Sequence, residues 1–368
     1  MAVVRFVGAI NFNDTLMHGM LCFLLFAGTL HVDLRHLARN RWAIGILSTL
    51  GVVISTVLVG ALTWLTFGAL GLGTPLMACL AFGALISPTD PIAVIGLLKE
   101  LGAPAALEAQ IAGESLFNDG IGVVVFFGVL SLGGLSGGHA AGPADLLLFF
   151  VREVGGGAGL GLALGLLAYR ALLTVDDHPL ELLITLALAM FLYTLSLWVH
   201  VSGPIAVVVA GLLIGNAGRA DAMSARTREH LDAFWDMTDS VLNAVLFLLL
   251  GLQVLTVPVG PQAVLAGGFA IPIVLMARLI SVAIPVLAMR WSHSFVPGIV
   301  PILTWSGLRG GLSVAMVLSL PAIPGLNLLI VCTYAVVVFS ILVQGLTTRR
   351  LLVHYGVGVS ASAAHAAH

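Results

Sequence analysis

The sequence predicts an all-α polytopic membrane protein with about eleven spans, two of them interrupted near their centres. Three observations support this fold class. Hydrophobic residues make up 60% of the 368 residues and charged residues only 9%, whereas about a quarter of the residues of a soluble protein are charged. Long apolar runs recur along the chain, and most basic residues fall in every second connection between them. So few charges also exclude the basic face that binding to nucleic acid requires.

The apolar runs define the predicted spans, because a helix needs about 20 apolar residues to cross the hydrocarbon core. The connection 219–237 between the seventh and eighth spans is long and amphipathic, which predicts a segment lying on the membrane surface. The eleven predicted spans are 15–34, 43–67, 75–98, 110–132, 145–170, 180–200, 204–218, 238–256, 264–289, 296–320 and 327–347.

The basic residues predict the orientation of the chain. If the spans alternate in direction, eleven of the fifteen Lys and Arg residues lie in one set of connections. The positive-inside rule makes those connections cytoplasmic, with the N-terminus outside and the C-terminus inside. We therefore expect a multi-pass protein of the cell membrane, embedded in the lipid bilayer. Residues 1–350 are expected to form one transmembrane transporter domain, and 351–368 a short polar tail.

Five ionisable residues lie near the centres of their predicted spans. Intramembrane charges are costly unless they are paired or hydrated, so a functional role is the default hypothesis, with helix-joining salt bridges as the alternative. The two arginines can neutralise only two of the three carboxylates. One acid is then left to bind a proton or a small cation. The five residues are Asp90, Glu114, Asp119, Arg278 and Arg309.

The fourth span carries a polar face within the segment GESLFNDG, residues 113–120. Ser115 and Asp119 are four residues apart and share one side of a helix, as do Glu114 and Asn118. Their carboxylate, hydroxyl and amide oxygens are the hard ligands that an alkali cation prefers. The segment therefore predicts part of a site for a cation or a proton.

The third span is interrupted by SPTDPIAV, residues 87–94. Its two prolines lack a backbone donor and disfavour helix in the residue before each. We expect the carbonyl groups of residues 87–89 to point towards an ion.

The tenth span has a matching interruption, WSGLRGGLS at 305–313, with three glycines around Arg309. Non-helical backbone at membrane depth is tolerated only where it is buried in protein or lines a cavity. Two interrupted spans that run in opposite directions indicate an inverted-repeat secondary transporter with a site near the midplane. The repeated units would cover about 43–132 and 264–347.

Together these motifs resemble the monovalent cation:proton antiporter-1 family, which contains bacterial sodium/proton antiporters and eukaryotic sodium/proton exchangers. The resemblance rests mainly on Thr-Asp-Pro at 89–91 and Gly-Glu-Ser-x-x-Asn-Asp at 113–119, in this order. It implies two crossed, partly unwound helices at 75–98 and 296–320, and a homodimeric secondary transporter that is not an enzyme and needs no cofactor. Further matching segments are FLLFAGTLHVDLR (23–35), VSGPIAVVVAGLLIGN (201–216) and ARLISV (277–282).

The resemblance also implies roles for individual residues. Asp119 is similar to the carboxylate that holds cation and proton in turn. Ser115, the Thr89 carbonyl and Asp90 would complete the Na⁺ site. Asn118 stands where electrogenic relatives carry a second aspartate, so the Asn-Asp form is similar to that of electroneutral exchangers.

Two structural ion pairs are implied in the same way, Glu114 with Arg278 and Asp90 with Arg309. They leave Asp119 as the unpaired acid. In many relatives an acidic residue stands near the position of His31, so this chain departs from the family there. Relatives also suggest one or two helices before residue 1.

We therefore expect an electroneutral exchanger of Na⁺, or Li⁺, for H⁺, in which both ions compete for Asp119. Its partners would be monovalent cations and protons. Exchange of K⁺ for H⁺ stays open, because hard oxygen ligands alone do not fix the size of a site. An organic-anion symporter of related fold is a further alternative, which a wide cavity with uncharged donors would favour.

Overall fold

The structure is a computed structural model, and nearly all regular secondary structure in its described residues is helical. The exception is an isolated β-bridge between Asp90 and Leu308. The predicted residues 15–19 of the first span, 255–256 of the eighth and 358–368 of the tail lie outside the described part. The structure describes residues 20–135, 142–175, 177–254, 260–291 and 295–357.

The helices follow the apolar runs of the sequence. Their bounds are α1 Leu21–Leu30, α2 Leu34–Arg39, α3 Arg41–Ala69, α4 Leu76–Ile86, α5 Ile92–Glu100, α6 Ala105–Leu132, α7 Pro143–Leu172, α8 His178–Val199, α9 Gly203–Leu213, a π-helix Ile214–Ala222, α10 Ala225–Val254, α11 Pro261–Met289, α12 Ile299–Ser306, α13 Gly311–Leu318, α14 Leu326–Phe339, a second π-helix Ser340–Gly345, and α15 Leu346–His354.

Within the described residues, seven helical segments are long and apolar enough to cross a membrane. The third and tenth predicted spans correspond to the interrupted pairs α4/α5 and α12/α13, and the first and eighth correspond to α1 and α10. Each predicted span thus has a helical counterpart, and the class of all-α membrane protein is confirmed. The number of membrane crossings stays a prediction.

The connection between the seventh and eighth predicted spans is shorter than the predicted 219–237, and its position on the membrane surface stays a prediction. The first π-helix runs on to Ala222, and α10 then continues without a break from Ala225 to Val254. Its sequence has no proline, and its one glycine, Gly251, is three residues before the end. Nothing local therefore stops helix propagation from the polar start into the apolar end.

The predicted start of the polar tail at residue 351 also needs correction. Helix α15 continues to His354. Leu352 is fully buried and belongs to one apolar cluster with Leu98, Leu107 and Val357. Burial of this leucine explains why the helix persists beyond the arginines at the end of the last span.

The helices form two compact units, one made of α1 and α7–α10, the other of α2–α6 and α11–α15. In the first unit, glycines let α7 approach α9 closely. A Cβ atom at Gly157 would lie 2.6 Å from the Ser202 carbonyl oxygen, and one at Gly161 would collide with the Ala206 carbonyl. Small residues spaced four apart thus let these two helices pack closely. The assignment of residues 1–350 to one transporter domain stays a prediction.

In the second unit, the order long helix, interrupted helix, long helix occurs twice. It is seen first in α3 to α6 and again in α11 to α15. The two interruptions meet, because the Asp90 N–H donates to the Leu308 carbonyl at 2.8 Å in the antiparallel bridge. The repeated order supports the inverted repeat of 43–132 and 264–347, which stays a prediction.

Candidate cation site at two helix interruptions

The first interruption separates α4 from α5 and is built by its prolines. Pro88 and Pro91 have no N–H to continue the helical ladder, and Pro88 disfavours helix at Ser87. The Ser87 hydroxyl donates to the Gly83 carbonyl at 2.6 Å at the end of α4. On α6, a Cβ atom at Gly122 would collide with the Pro88 ring. Glycine at this position therefore allows α6 to lie directly against the interruption.

Helix α6 holds the interruption through Asn118. The Asn118 side-chain oxygen accepts from the Thr89 N–H at 3.2 Å, and its Nδ2 donates to Thr89 Oγ1 at 2.8 Å. Thr89 Oγ1 is also 2.9 Å from Ser115 Oγ. All three side chains are buried. The amide predicted as a cation ligand thus satisfies a backbone donor that the broken helix leaves open.

The second interruption places Arg309 against the first. Its guanidinium donates to the Pro88 carbonyl at 2.8 Å and also to the Ser87 carbonyl. Carbonyls at the end of α4 lack helical donors, and the guanidinium supplies them. Two of the three carbonyls expected to face an ion are therefore occupied by Arg309.

The implied ion pair between Asp90 and Arg309 is not formed in the described structure. The Asp90 carboxylate instead accepts from the Ile92 N–H at 3.0 Å, in the first turn of α5. Carboxylates are favourable partners for the open N–H groups at a helix start. Asp90 packs closely against the backbone of Gly310. Only glycine allows this contact, because a Cβ atom at residue 310 would lie 2.8 Å from the Asp90 Cβ.

Glu114 and Arg278 are brought together as the resemblance implied. Arg278 Nη1 lies 2.6 Å from Glu114 Oε1, and their side chains are only 7% and 2% exposed. Arg278 Nη2 also donates to the Leu303 carbonyl at 3.2 Å. Each charge has a counter-charge, so this buried pair adds no net charge to the site. It ties α6 to α11 and α12.

Asp119 lies one turn beyond Ser115 on α6 and is half-buried. Within the described part of the chain, its carboxylate accepts no hydrogen bond and forms no ion pair. Asp90 repels its charge and Arg309 attracts it. A carboxylate without an ion pair can bind a proton or a small cation of hard character.

Two residues of the second π-helix were missed by the sequence analysis. Ser340 Oγ accepts from the Arg309 N–H at 2.8 Å, and Gln344 Nε2 donates to the Trp305 carbonyl at 3.1 Å. A signal was present, since both are polar residues within the predicted span 327–347. Polar side chains at that depth are rare and usually have a function.

His31 belongs to the first compact unit. Its Nε2 lies 3.0 Å from Asp236 Oδ1, a contact near the surface of that unit with side chains 30% and 67% exposed. The residue at which the chain departs from the family pattern therefore contacts a carboxylate from α10.

Comparison with known proteins identifies the family. The model of the transmembrane sodium/hydrogen exchanger family matches residues 6–354. The chain belongs to this family. The Na(+)/H(+) antiporter NhaP of Pseudomonas aeruginosa is 47% identical over 348 residues, covering 93% of this chain and 81% of that protein. The Na(+)/H(+) antiporter NhaH of Halobacillus dabanensis is 35% identical over 349 residues, covering 94% and 84%.

A solved structure agrees with this assignment at the level of fold. The sodium proton antiporter MjNhaP1 from Methanocaldococcus jannaschii matches this exchanger-family chain with a TM-score of 0.76 at 20% identity. The match covers 96% of this chain and 86% of that one. The family resemblance inferred from the sequence motifs is therefore confirmed, and the chain has the fold of the antiporter MjNhaP1.

Proposed function

We propose that this member of the exchanger family exchanges Na⁺ for H⁺ across the cell membrane, with both ions bound in turn by Asp119. The observation that carries the proposal is the half-buried Asp119 carboxylate on α6, one turn from Ser115 and without an ion pair among the described residues. One residue of each helix interruption, Asp90 and Arg309, acts on it electrostatically. The names of the two bacterial relatives support Na⁺ as the cation.

The charges of the site give a reason for exchange. Glu114 and Arg278 neutralise each other at 2.6 Å, which leaves Arg309 with Asp90 and Asp119. This remainder has a net charge of about −1 when both carboxylates are ionised, from the ordinary pKa values of these side chains. One proton or one monovalent cation restores neutrality at membrane depth, where a net charge is costly.

Competition for one carboxylate sets the proposed stoichiometry. Asp119 holds a proton or ligates a cation, but never both, so each complete cycle moves one of each in opposite directions. No separate coupling device is needed. Ser115 and Thr89 supply neutral oxygens to the Na⁺-bound form. Alternating access then carries the neutral site between the two sides.

The remaining parts of the proposal concern selectivity and placement. We propose that Li⁺ substitutes for Na⁺, that the N-terminus lies outside and the C-terminus in the cytoplasm, and that the protein is a homodimer in the lipid bilayer. If the protein exchanges K⁺ instead of Na⁺ for H⁺, the transported cation changes and the proposed mechanism stays the same.

The test is proton flux driven by Na⁺, Li⁺ or K⁺ in proteoliposomes, followed with an internal pH dye. The wild type is compared with Asp119→Asn, and with Glu100→Gln as a control carboxylate that is 60% exposed and pairs with Arg349 at 3.2 Å. We expect Na⁺-driven flux in the wild type and the control, and none in Asp119→Asn. In the Na⁺ and Li⁺ assays valinomycin fixes the voltage, with equal K⁺ on both sides for zero voltage and unequal K⁺ for an imposed one.

Either of two results would refute the proposal. Flux that survives in Asp119→Asn would place the exchanging acid elsewhere. Flux that follows an imposed voltage would contradict one-for-one exchange, because an electroneutral cycle moves no net charge.

A further inference from the structure

The last long helix changes from α to π at Ser340, directly beside the second interruption. Short π-helical turns are rare and frequently mark functional sites. Two side chains of this turn reach the interrupted span. Ser340 accepts from the Arg309 N–H at 2.8 Å, and Gln344 donates to the Trp305 carbonyl at 3.1 Å. Both side chains are buried.

The two side chains complete the hydrogen bonding of backbone that the interruption opens. Arg309 lies between α12 and α13, so its N–H has no helical acceptor. Trp305 lies in the last turn of α12, where carbonyls lack helical donors. The Trp305 indole N–H also donates to Thr347 Oγ1 at 2.8 Å. The last span thus binds the second interruption at both ends of the interruption, at Trp305 and at Arg309.

A small cavity lies beside the interruption and is lined by Gly307, Arg309 and Gln344, together with Arg278 and Thr304. Side chains next to a cavity lose packing contacts. The hydrogen bonds of Ser340 and Gln344 therefore add to the packing that holds the segment on this side.

We propose that Ser340 and Gln344 are positioning residues for cation binding, acting through Arg309 and Asp90. The inference rests on the proposed function, because it concerns the same site. Ser340 holds the backbone of Arg309, and the Arg309 side chain holds the carbonyls of Ser87 and Pro88. One residue of the second interruption therefore connects the π-helix to the first interruption.

The connection reaches Asp90 directly. Its N–H donates to the Leu308 carbonyl at 2.8 Å, and Gly310 lies so close that a Cβ atom there would be 2.8 Å from the Asp90 Cβ. A displaced segment must therefore move Asp90. Because Asp90 acts electrostatically on Asp119, such a displacement changes the affinity of the site for its ions.

The test separates positioning from folding. We would measure KM for Na⁺ and the maximal rate in proteoliposomes for the wild type, Ser340→Ala and Gln344→Met. The control is Thr333→Val, which removes another buried hydroxyl from the same span, one that donates to the Leu329 carbonyl at 2.8 Å. Purified variants are compared for thermal unfolding first.

We expect Ser340→Ala and Gln344→Met each to raise KM for Na⁺ about 5-fold, the factor that one lost hydrogen bond represents. The maximal rate per folded protein should stay within about twofold, because the removed interaction serves binding and not a later step. A merely structural role would lower the folded fraction and the maximal rate, and would leave KM unchanged.

The inference is overturned if KM for Na⁺ in both variants stays within about twofold of the wild type. It is also overturned if Thr333→Val raises KM as much as they do. Failure of the proposed function is seen separately in the same assay, as an absence of Na⁺-driven flux in the wild type or its survival in Asp119→Asn.

Discussion

Breaking the buried pair of Glu114 and Arg278 should destabilise the protein far more than breaking an exposed pair. At 2.6 Å and an effective dielectric constant of about 20, Coulomb's law gives an attraction of about 6 kcal/mol. Removing one partner loses this attraction and leaves the other charge buried, which typically costs about 3–5 kcal/mol. We expect that cost for Glu114→Gln and for Arg278→Gln separately.

A double-mutant cycle isolates the pair. The free energy of unfolding is measured for the wild type, both single variants and Glu114→Gln/Arg278→Gln, by denaturant titration in detergent micelles. The double variant should be destabilised by less than the sum of the single variants, with a coupling energy of about 3 kcal/mol or more. The matched cycle uses Glu100→Gln and Arg349→Gln, whose side chains are about 60% exposed.

The exposed cycle should give a coupling energy below about 1 kcal/mol, because solvent screens such pairs. The reasoning is refuted if the two cycles give equal coupling energies. It is also refuted if Glu114→Gln alone leaves the free energy of unfolding unchanged, since the buried guanidinium would then have needed no counter-charge.

Two further predictions concern the site itself. The exchange rate should rise and then fall as cytoplasmic pH is raised from about 6 to 9. Protons exclude Na⁺ from Asp119 at low pH, and no proton is carried at high pH. A rate that does not change with pH would contradict a carboxylate shared by both ions. Asn118→Ala removes two contacts to Thr89 and should slow Na⁺-driven flux and lower the free energy of unfolding by about 1–3 kcal/mol. Asn243→Ala, whose Nδ2 donates within its own helix to the Asp239 carbonyl, is the control and should leave flux unchanged.

The sequence predicted the features that depend on local composition. The apolar runs predicted the helices, and the prolines at 88 and 91 and the glycines around Arg309 predicted both interruptions. Hydropathy misplaced the helix ends at 219–237, because the charged residues there interrupt an apolar pattern but do not break a helix. The charge count predicted a surplus acid, and the family resemblance added the partner of Glu114.

The partner of Arg309 was not predictable in the same way. A guanidinium can pair with a carboxylate or donate to carbonyls, and the choice depends on which groups meet it in space. The Asp90 N–H bonds to Leu308, which places Arg309 over the carbonyls of Ser87 and Pro88. No spacing in the sequence records that register between two segments more than 200 residues apart.

This choice of partner has a consequence for ion binding. If Arg309 paired directly with Asp90, one carboxylate would be neutralised at short range and Asp119 would stand alone. The guanidinium instead donates to the two carbonyls, and both carboxylates remain without an ion pair among the described residues. They repel each other, and a proton or cation at Asp119 relieves that repulsion. The two helix interruptions therefore do more than open the backbone. They also hold the arginine through hydrogen bonds, and under the proposed function one transported proton or cation would neutralise the remaining net charge of about −1.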